Sequence, residues 1–410
     1  MKAAIAGGGA AGFFAAIACK QENPSVEVTI LEQNSTILSK VALSGGGRCN
    51  LSNSVTVPRQ LSTFYPRGSR ELIGPFTRFG PADTVKWFQS HGVTLKTEPD
   101  GRVFPASDKS LSIVNCLSET AENSGVILRK SCGIEAAIPL PDLQGFELIL
   151  SSGSKEQYDM LLLATGGSAE SAGISIASSL GHTIIEQVPS LFSFVVNDRR
   201  IAGIPGISLP EIKISIPETR FSSRGPALIT HNGLSGPAVL KLSSFAARDL
   251  FEKGYDFQCM IDWYPHSVTE QTIQQISLMR TSNAGKRIHA ETPIPIPKRL
   301  WVSLAEASGC GPTDLWAHLS KKQALDLTEQ IHRGILNVTG KDRNKEEFVT
   351  CGGVKLSEIN FKTMQSKIHP RLFAAGELLD IDGLTGGFNL QAAWTTGYIA
   401  GLSMASLASE

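Results

Sequence analysis

The chain has 410 residues, which is enough for two or three domains with a large core, and its 38 basic and 38 acidic side chains leave no net charge. That balance argues against nucleic acid or an anionic membrane as a partner, and no apolar run approaches the length of a membrane span. The seven cysteines include no C-x-x-C pair, which argues against a disulfide framework or a zinc site and favours reduced thiols in a cytoplasmic protein.

The beginning of the chain predicts a strand, a glycine-rich turn, a helix and a second strand. Lys2 to Ala6 is a short apolar run typical of a buried parallel strand, and Gly7-Gly8-Gly9-Ala10-Ala11-Gly12 leads from it into a helix over 13–20. A second apolar run from Val26 to Leu31 ends at Glu32. A G-x-G-x-x-G sequence between strand and helix, with an acid about 20 residues further on, is typical of dinucleotide binding.

Each residue of this pattern has a physical role in that interpretation. Gly7 permits the tight turn, Gly9 lets the backbone approach a pyrophosphate, and Gly12 allows helix and strand to pack closely. The N-terminus of the helix presents free N–H groups to the phosphates, and Glu32 would accept hydrogen bonds from the adenosine ribose. The alternative, a glycine-rich turn without a ligand, does not account for Glu32.

A second glycine cluster, Ser44-Gly45-Gly46-Gly47-Arg48-Cys49-Asn50, follows soon after Glu32. It suits a loop along the same cofactor, with backbone amides and Arg48 near the phosphates; a flexible surface loop is the alternative. Cys49 suggests a thiol relay, but the C-x-x-x-x-C spacing of a redox pair would need a cysteine where Ser54 stands. We therefore exclude a dithiol mechanism and interpret Cys49 as a packing residue.

The next part of the chain predicts more strands of the first domain. Residues 126–158 alternate apolar and polar positions between turn signals, as a β-meander would. Met160 to Ala164 predicts a buried strand that ends in Thr165 and Gly166, and a helix from about Ala169 ends at Gly181.

From about Pro189 the pattern changes to strand-like runs separated by prolines and glycines. We predict an inserted β domain over 189–265 and 334–345, interrupted by a small helical module over 266–333. His231 lies in a turn signal within the insertion, which leads into a helix predicted to run to about Phe251. His231 is either an acid–base residue or a structural histidine. No segment here repeats G-x-G-x-x-G between strand and helix, so a dedicated nicotinamide domain is not predicted.

The chain then returns to the first domain, which we predict to comprise 1–188 and 346–410. Leu372 to Ala375 is a strand without a sheet of its own, so it must join the sheet that begins at Ile5. It ends in Gly376 and Glu377, and Gly386-Gly387-Phe388-Asn389 then open a helix to about Ala405. That helix would direct its positive end at the ligand.

The motifs together resemble the bacterial BaiN-like flavoproteins, also described as the aminoacetone-oxidase-type FAD-binding family. The resemblance covers the chain from end to end. It rests on S-G-G-G-R-C-N-L-S-N (44–53), G-R-V-F-P-A-S (101–107), T-H-N-G-L-S-G-P-A (230–238) and A-A-G-E-L-L-D-I-D-G-L-T-G-G-F-N-L-Q-A-A-W (374–394). Ser52 stands where the family often has Thr, and Phe388 where Tyr is usual. The resemblance implies an α/β fold: a two-dinucleotide-binding (Rossmann-like) FAD domain with an inserted β-barrel-like domain and a small helical module.

The resemblance also implies the positions of the cofactor contacts. Glu377 would hold the ribityl chain, and the helix after Gly387 would face the flavin pyrimidine, where negative charge accumulates on reduction. The residues that we expect at non-covalent FAD are Gly7, Gly9, Ala10, Ala11, Gly12, Glu32, Gln33, Lys40, Ser44, Gly46, Gly47, Arg48, Asn50, Thr165, Gly166, Gly376, Glu377, Gly386, Gly387, Phe388 and Asn389. Lys40, Arg102 and His231 are the candidates for a catalytic role, and no metal ligands are expected.

The expected function is that of an FAD-dependent oxidoreductase, in which the flavin carries the chemistry and the protein positions the substrate. We expect an NAD(P)H-dependent reductase of a small organic molecule bound between the FAD domain and the insertion, with NAD(P)H as a transient reductant. The alternatives are a flavin oxidase of a small amine or aminoketone that uses oxygen, and a non-catalytic flavin-binding regulatory protein.

Overall fold

The computed structural model describes residues 1–342 and 349–409. The chain forms two compact units: the first takes the chain up to Val188 and resumes at Val349, and the second begins at Pro189. The predicted boundary between residues 345 and 346 lies outside the described residues.

Up to the insertion, the strands are β1 (Lys2–Ala6), β2 (Glu27–Leu31), β3 (Ser52–Asn53), β4 (Leu95–Thr97), β5 (Arg102–Pro105), β6 (Ile127–Arg129), β7 (Ile134–Pro139), β8 (Phe146–Leu150), β9 (Lys155–Tyr158), β10 (Met160–Leu163) and β11 (Ile184–Ser190), and the helices are α1 (Ala10–Glu22), α2 (Ser39–Gly47), α3 (Pro58–Ser62), α4 (Ile73–Arg78), α5 (Pro81–Ser90), α6 (Leu111–Asn123) and α7 (Ala172–Ser179). The second unit contains β12 (Phe194–Val196), α8 (Arg199–Ala202), β13 (Ser208–Ser215), β14 (Ser222–Ile229), β15 (Gly233–Ser235), α9 (Pro237–Phe245), α10 (Ala247–Glu252), β16 (Phe257–Asp262), α11 (Thr269–Ser282), α12 (Lys298–Ala307), α13 (Lys321–His332) and β17 (Gly334–Lys341). The chain then completes the first unit with β18 (Val349–Val354), β19 (Ile359–Asn360), β20 (Gln365–Ser366), β21 (Leu372–Ala374) and α14 (Phe388–Leu407).

The first unit is built on a seven-stranded sheet in the order β19-β20-β21-β10-β1-β2-β6. The five strands from β21 to β6 are parallel, and residues 3–6 and 160–163 are buried on both faces, which explains their unbroken apolar sequences. β21 pairs with β10, which pairs with β1. The prediction that the C-terminal strand joins the sheet begun at Ile5 is therefore confirmed.

The helices α1 and α14 pack against each other unusually closely because glycines lie at the contact. A Cβ on Gly397 would lie 2.4 Å from the carbonyl oxygen of Ala11, and one on Gly401 would lie 2.3 Å from that of Ala15. Residue numbers rise together along this contact, so the two helices run parallel. Any larger side chain at these two glycines would force the helices apart.

The second unit contains a closed barrel with the strand order β12-β15-β14-β13-β16-β17. Its core includes Phe194, Ile212 and Leu234, and continues into the helices, where the rings of Trp301 and Trp316 stack at 5.9 Å. The predicted fold class, a Rossmann-like domain with an inserted β-barrel-like domain and helices, is confirmed.

Three local predictions are corrected by the structure. Residues 127–129 are not part of the meander: they pair in parallel with β2, and only β7, β8 and β9 form the antiparallel meander. The helix expected from Ala169 begins at Ala172. The helix expected to run on to Phe251 is two helices, since α9 ends at Phe245 and α10 begins at Ala247.

Across residues 1–342 and 349–409, none of the helices combines the length and the apolar character needed to cross a bilayer.

Candidate functional site

The predicted site residues follow the carboxyl ends of four neighbouring parallel strands. Gly7 follows β1, Glu32 follows β2, Thr165 comes after β10 and Gly376 after β21. The carboxyl ends of parallel strands meet at one edge of a sheet, and open α/β sheets bind nucleotides at that edge. The topology therefore brings residues that are up to 369 positions apart to one edge of the sheet.

The glycines of the first turn differ in their surroundings: Gly7 and Gly12 are closely packed, whereas Gly9 has open space beside it. Gly7 has a φ of +106°, and a Cβ there would lie 2.5 Å from the carbonyl oxygen of Ala164. A Cβ on Gly12 would lie 2.1 Å from the carbonyl oxygen of Gly7. A Cβ on Gly9 would meet no atom within 4 Å. Gly9 is the N-cap residue of α1 and has no side chain to cap it, so it leaves free space beside the N-terminus of the helix.

The carboxylate of Glu32 is held against this turn. Its Oε2 accepts a hydrogen bond from the Gly8 amide at 2.7 Å, and its Oε1 accepts from the Asn34 amide at 2.8 Å. Each carboxylate oxygen can accept more than one hydrogen bond, so the group retains capacity for a ribose hydroxyl. Gln33, the next predicted contact, is exposed.

The second glycine segment lies at the C-terminal end of α2, where Ser44, Gly45 and Gly46 have non-helical backbone angles. The Ser44 hydroxyl donates to the carbonyl oxygen of Val41 at 3.0 Å. A Cβ on Gly46 or Gly47 would meet no atom within 4 Å. The segment is thus a sharp turn with two open glycine positions, as a loop along a ligand requires.

Asn50 connects the second glycine segment to the start of α14. Its side chain is nearly buried. With its amide oriented so that Nδ2 donates to the carbonyl oxygen of Ser52 at 3.1 Å, Oδ1 accepts from the Gly387 amide at 3.0 Å. Asn50 therefore fixes two predicted ligand-binding turns relative to each other.

Arg48 and Arg102 share one carboxylate. Arg48 Nη1 donates to Glu98 Oε1 and Arg102 Nη2 donates to Glu98 Oε2, each at 2.8 Å. The hydrogen bond to Glu98 holds the pKa of Arg48 above its usual value, and its guanidinium lies 4.1 Å from the centre of the Phe104 ring. A guanidinium keeps its charge in proteins, so neither arginine is suited to proton transfer.

Lys40 and Glu377 form an ion pair across the sheet edge. Lys40 Nζ lies 2.5 Å from Glu377 Oε2, and the two side chains are 62% and 15% exposed. Glu377 Oε1 accepts from the Thr350 amide at 3.0 Å. A Cβ on Gly166 would lie 4.0 Å from Lys40 Nζ, so the turn after β10 and the turn after β21 meet at this pair.

The turn before α14 needs glycine at two successive positions. Gly386 and Gly387 have φ values of +127° and +90°, and a Cβ on Gly387 would lie 2.3 Å from the carbonyl oxygen of Ser52. Asn53 Nδ2 donates to the carbonyl oxygen of Gly386 at 3.0 Å. The N-cap residue of α14 is Gly387, which has no side chain to cap the helix, so the first amides of α14 are placed to bind a ligand.

Two of the predicted contacts use their side chains for internal packing. The Phe388 ring stacks on Phe64 with centroids 4.3 Å apart, and both amide atoms of Asn389 bond the backbone of Gly383, at 2.7 and 2.8 Å. Both side chains therefore stabilise the turn before α14 and the start of that helix.

The two uncapped helix ends are staggered along a common direction. Ala11 is the second residue of α1 and touches Gly397, which is the tenth residue of α14. Along their shared direction α14 therefore begins about eight residues, or two turns, before α1. At 1.5 Å per residue this offset is on the order of 12 Å. The structure thus offers two clusters of free amides in a row, the first beside Gly9 and the second beside Gly387.

His231 belongs to the second unit, where it is exposed at the bend between β14 and β15. The bend is closed by hydrogen bonds from the Thr230 amide to the carbonyl oxygen of Gly233 and from the Gly233 amide to Thr230 Oγ1, at 2.8 and 3.1 Å. In the described part of the chain no three His, Cys, Asp or Glu side chains are grouped as a metal site requires.

Sequence reasoning missed Asp382 and Arg67. Asp382, four residues before Gly386, is fully buried. It accepts two hydrogen bonds from Arg67 in an ion pair. An acid inside the apolar run around Ile381 was a usable signal, because a buried carboxylate requires a partner. Nothing local identifies Arg67 as that partner, since the two residues are 315 positions apart.

The residues present fit FAD. The open positions at Gly9, Gly46 and Gly47 leave space where a dinucleotide backbone would lie, and Glu32 is placed for a ribose. Glu377, held beside the turn after β10, would face the ribityl hydroxyls, and the amide end of α14 would face the ring.

Comparisons with known proteins cover the whole chain. The sequence profile of the HI0933-like protein Rossmann domain matches residues 1–403. A 3-dehydro-bile acid delta(4,6)-reductase of Clostridium scindens is 30% identical over 98% of this chain and 98% of its own length. A ribosomal RNA dihydrouridine synthase of Haemophilus influenzae is 28% identical over 98% of this chain and 97% of its own length. A protein of the same name from Escherichia coli is 28% identical, with 97% and 96% covered.

Solved structures confirm the fold. The 3-ketosteroid-delta4-(5alpha)-dehydrogenase of Rhodococcus jostii RHA1 has a TM-score of 0.52 at 17% identity, with 98% of this chain and 96% of that chain covered. The 3-ketosteroid delta1-dehydrogenase of Sterolibacterium denitrificans has a TM-score of 0.51 at 11% identity, with 99% of both chains covered.

The family expected from the sequence motifs is thereby confirmed. The profile match spans nearly the entire chain and a relative at 30% identity is covered end to end. The chain belongs to the HI0933-like family with a Rossmann domain and is an FAD-dependent oxidoreductase.

Proposed function

We propose that the protein is an FAD-dependent reductase that saturates a carbon–carbon double bond conjugated to a carbonyl group, with NAD(P)H as the electron donor. The observation that carries the proposal is the end-to-end similarity to a 3-dehydro-bile acid delta(4,6)-reductase at 30% identity. The name of that relative describes reduction of double bonds conjugated with a 3-oxo group. The ribosomal RNA dihydrouridine synthases at 28% identity are named for the same change, because the double bond lost in dihydrouridine is conjugated to a ring carbonyl.

The proposed reaction takes a hydride and a proton. Bound FAD would supply the hydride chemistry, with NAD(P)H as the hydride source and the substrate carbon β to the carbonyl as the acceptor. The α-carbon gains a proton, the double bond becomes single, and NAD(P)⁺ leaves. Since NAD(P)H is a metabolite of the cytoplasm, that location is part of the same proposal.

The chain's own residues bind, orient and polarise in this scheme. Gly9 and the free amides of α1 would hold the pyrophosphate, Glu32 the adenosine ribose, and Glu377 the ribityl chain. The amides at the start of α14 would stabilise negative charge on the pyrimidine side of the ring. Lys40 is paired with Glu377, and we propose for it a role in binding.

A proton donor is required in addition. Of the three sequence candidates, Arg102 is unsuited because its guanidinium stays charged, and Lys40 is engaged by a carboxylate. We assign the role to His231, because an imidazole is the side chain most often used for general acid catalysis.

Stopped-flow absorbance measurements under anaerobic conditions test the proposal. Purified protein with its flavin is mixed with NADPH or NADH, and the loss of oxidised flavin absorbance is followed. A steroid 4-en-3-one acid is then added, and return of that absorbance with formation of the saturated ketone is the expected result. Rapid return with oxygen alone would instead identify an oxidase, and failure of every donor to reduce the flavin would identify a non-catalytic flavoprotein.

A second candidate substrate is uridine in ribosomal RNA, and the two synthase-named relatives favour it. The same reduced protein is divided between the steroid acid and ribosomal RNA, and dihydrouridine is quantified by mass spectrometry. If only the RNA is reduced, uridine in ribosomal RNA replaces the small molecule as the proposed substrate. That result would also overturn the expectation, drawn from the net charge, that nucleic acid is not a partner. His231→Gln should slow the second half-reaction with either substrate and leave reduction of the flavin by NADPH unchanged.

A further inference from the structure

Two segments that are far apart in sequence form a buried brace beside the Gly386–Gly387 turn. Arg67 and Asp382 pair as an antiparallel bridge, and the Leu384 amide donates to the carbonyl oxygen of Phe64 at 2.9 Å. The Arg67 guanidinium donates through Nε and Nη2 to the two carboxylate oxygens of Asp382. The side chains of Arg67 and Asp382 are 14% and 0% exposed.

The brace continues onto the first residue of α14. Tyr65 OH donates to the carbonyl oxygen of Phe388 at 2.7 Å, and the Phe64 ring stacks on the Phe388 ring. Leu384 and Phe388 are both buried, and only residues 385–387 between them reach the surface. The brace therefore holds both ends of a three-residue tip that carries the two glycines.

We propose that the Arg67–Asp382 pair is a positioning device that fixes this tip and the amide end of α14 relative to the reactive ring of FAD, and thereby sets the reduction potential of the bound flavin. The inference rests on the proposed function for the presence and orientation of the flavin. Arg67 and Asp382 act through the tip and the helix end.

Physical chemistry favours positioning over stability as the reason for this pair. A buried ion pair gains little net stability, because desolvation of both charges offsets their attraction. Two parallel hydrogen bonds from one guanidinium to one carboxylate fix geometry closely. Amide donors stabilise developing charge only when they are aimed at it, and a displacement of about 1 Å is enough to weaken such an effect strongly.

The test needs substitutions that preserve charge. Removing the carboxylate would delete one negative charge from this region, which would by itself raise the flavin potential and mask any loss of positioning. Arg67→Lys keeps the charge but loses the planar two-bond geometry, and Asp382→Glu keeps the charge but displaces the carboxylate. The matched control is Arg129→Lys, because Arg129 also bonds both oxygens of a glutamate in the same unit, Glu156, at 2.9 and 2.7 Å.

Affinity for oxidised and for reduced FAD and the midpoint potential are measured for the wild type and all three variants. We expect both brace variants to weaken reduced FAD about tenfold more than oxidised FAD, which lowers the two-electron midpoint potential by about 30 mV. The control should keep the wild-type potential, and melting curves of the flavin-free variants should match that of the control.

An unchanged potential in whichever brace variant folds, with equal losses of affinity for both redox states, would overturn the positioning role. That result, with wild-type protein that holds FAD and reduces an enone, leaves the proposed function intact. A wild-type protein that binds no FAD would instead remove the proposed function itself.

Discussion

At the scale of single residues, the glycines of the first turn differ in what a side chain would meet. Gly9 has an extended backbone conformation with open space around it, whereas Gly12 lies against the carbonyl oxygen of Gly7. Gly9→Val should therefore leave the stability of the flavin-free protein unchanged and abolish FAD binding, because the new methyl groups occupy the space for the pyrophosphate. Flavin content after gel filtration and a melting curve measure the two effects.

Gly12→Ala is the matched variant for that experiment. Its Cβ would clash at 2.1 Å with the Gly7 carbonyl oxygen, so we expect a loss of about 1–3 kcal/mol in the free energy of unfolding. Full retention of FAD by Gly9→Val, or equal destabilisation by both substitutions, would contradict this division of roles.

The reactivity of the Cys49 thiol is determined by its burial. The side chain is fully buried, and burial raises the pKa of the thiol to about 12, with a hydrogen bond to Ser44 acting in the opposite direction. A thiol with that pKa is not a nucleophile at neutral pH. We expect Cys49→Ser to keep the wild-type rate of flavin reduction by NADPH; loss of reduction with every donor, in variant protein that still holds FAD, would show that the thiol takes part.

At the scale of elements, a buried histidine joins the end of α7 to the hairpin of β19 and β20. His182 lies 3.0 Å from Glu358 through Nδ1 and 2.8 Å from Ser366 Oγ through Nε2. Ser366 Oγ accepts from the amides of Ile368 and His369, so its own proton is donated to Nε2. His182 is therefore neutral, with its proton on Nδ1 directed at Glu358.

This arrangement predicts how stability depends on pH. Burial lowers the pKa of His182, with the hydrogen bond to Glu358 opposing the shift. The imidazole of an unfolded histidine takes up a proton near its ordinary pKa of about 6.5, whereas that of folded His182 does so only at lower pH. The folded state therefore loses stability as pH falls below about 6.5.

Urea unfolding midpoints at pH 7.5 and 5.5 measure this effect. His182→Gln should reduce the difference between the two midpoints, whereas His91→Gln, a half-buried histidine of the same unit, should keep it. An identical pH dependence in the wild type and His182→Gln would contradict the assignment.

Elements with a strong local pattern could be predicted, and those decided by distant partners could not. Strands β1, β2, β10 and β21 are apolar because both faces are buried, and that pattern is visible in the sequence. Strand β6 is different: Ile127 and Leu128 are 45% and 38% exposed, so nothing in its sequence shows that it forms the parallel edge next to β2.

In the candidate site, the glycine turns and the acids after strands could be predicted from the sequence. The pairs Lys40–Glu377 and Arg67–Asp382 could not, because each joins residues more than 300 positions apart.

At the scale of the whole molecule, the two segments that connect the units are each preceded and followed by paired strands. β11 pairs with β18 in the first unit, and β12 pairs with β17 in the second. In the first unit the Lys355 amide donates to the carbonyl oxygen of Thr183 at 3.0 Å, and a Cβ on Gly352 would lie 2.2 Å from that of Glu186. β11 and β18 therefore run antiparallel, and the same register places Val188 opposite Thr350 at the end of the first unit. In the second unit β12 pairs with β17 to close the barrel. Insertions whose two ends meet in this way are tolerated by the host domain.

This arrangement allows the insertion to be removed cleanly. Replacing residues 190–348 by Asn-Gly would connect Pro189 to Val349 through a two-residue turn of the kind that antiparallel strands prefer. The parallel sheet and all the predicted contacts of FAD remain in the shortened chain, so we expect it to purify with FAD and to be reduced by dithionite. We expect substrate turnover to be lost, because the insertion carries His231, the proposed proton donor. We also predict that the insertion determines substrate choice.

Gly9→Val in the shortened chain is the control, and it should remove the flavin just as in the full chain. A shortened protein with native-like circular dichroism but no FAD would show that the first unit does not suffice for the cofactor. A shortened protein that still reduces the wild-type substrate with the same selectivity would show that residues 190–348 do not determine substrate choice. If the shortened chain aggregates, cleavage of the full chain within the insertion by limited proteolysis, followed by the same two measurements, separates the same outcomes.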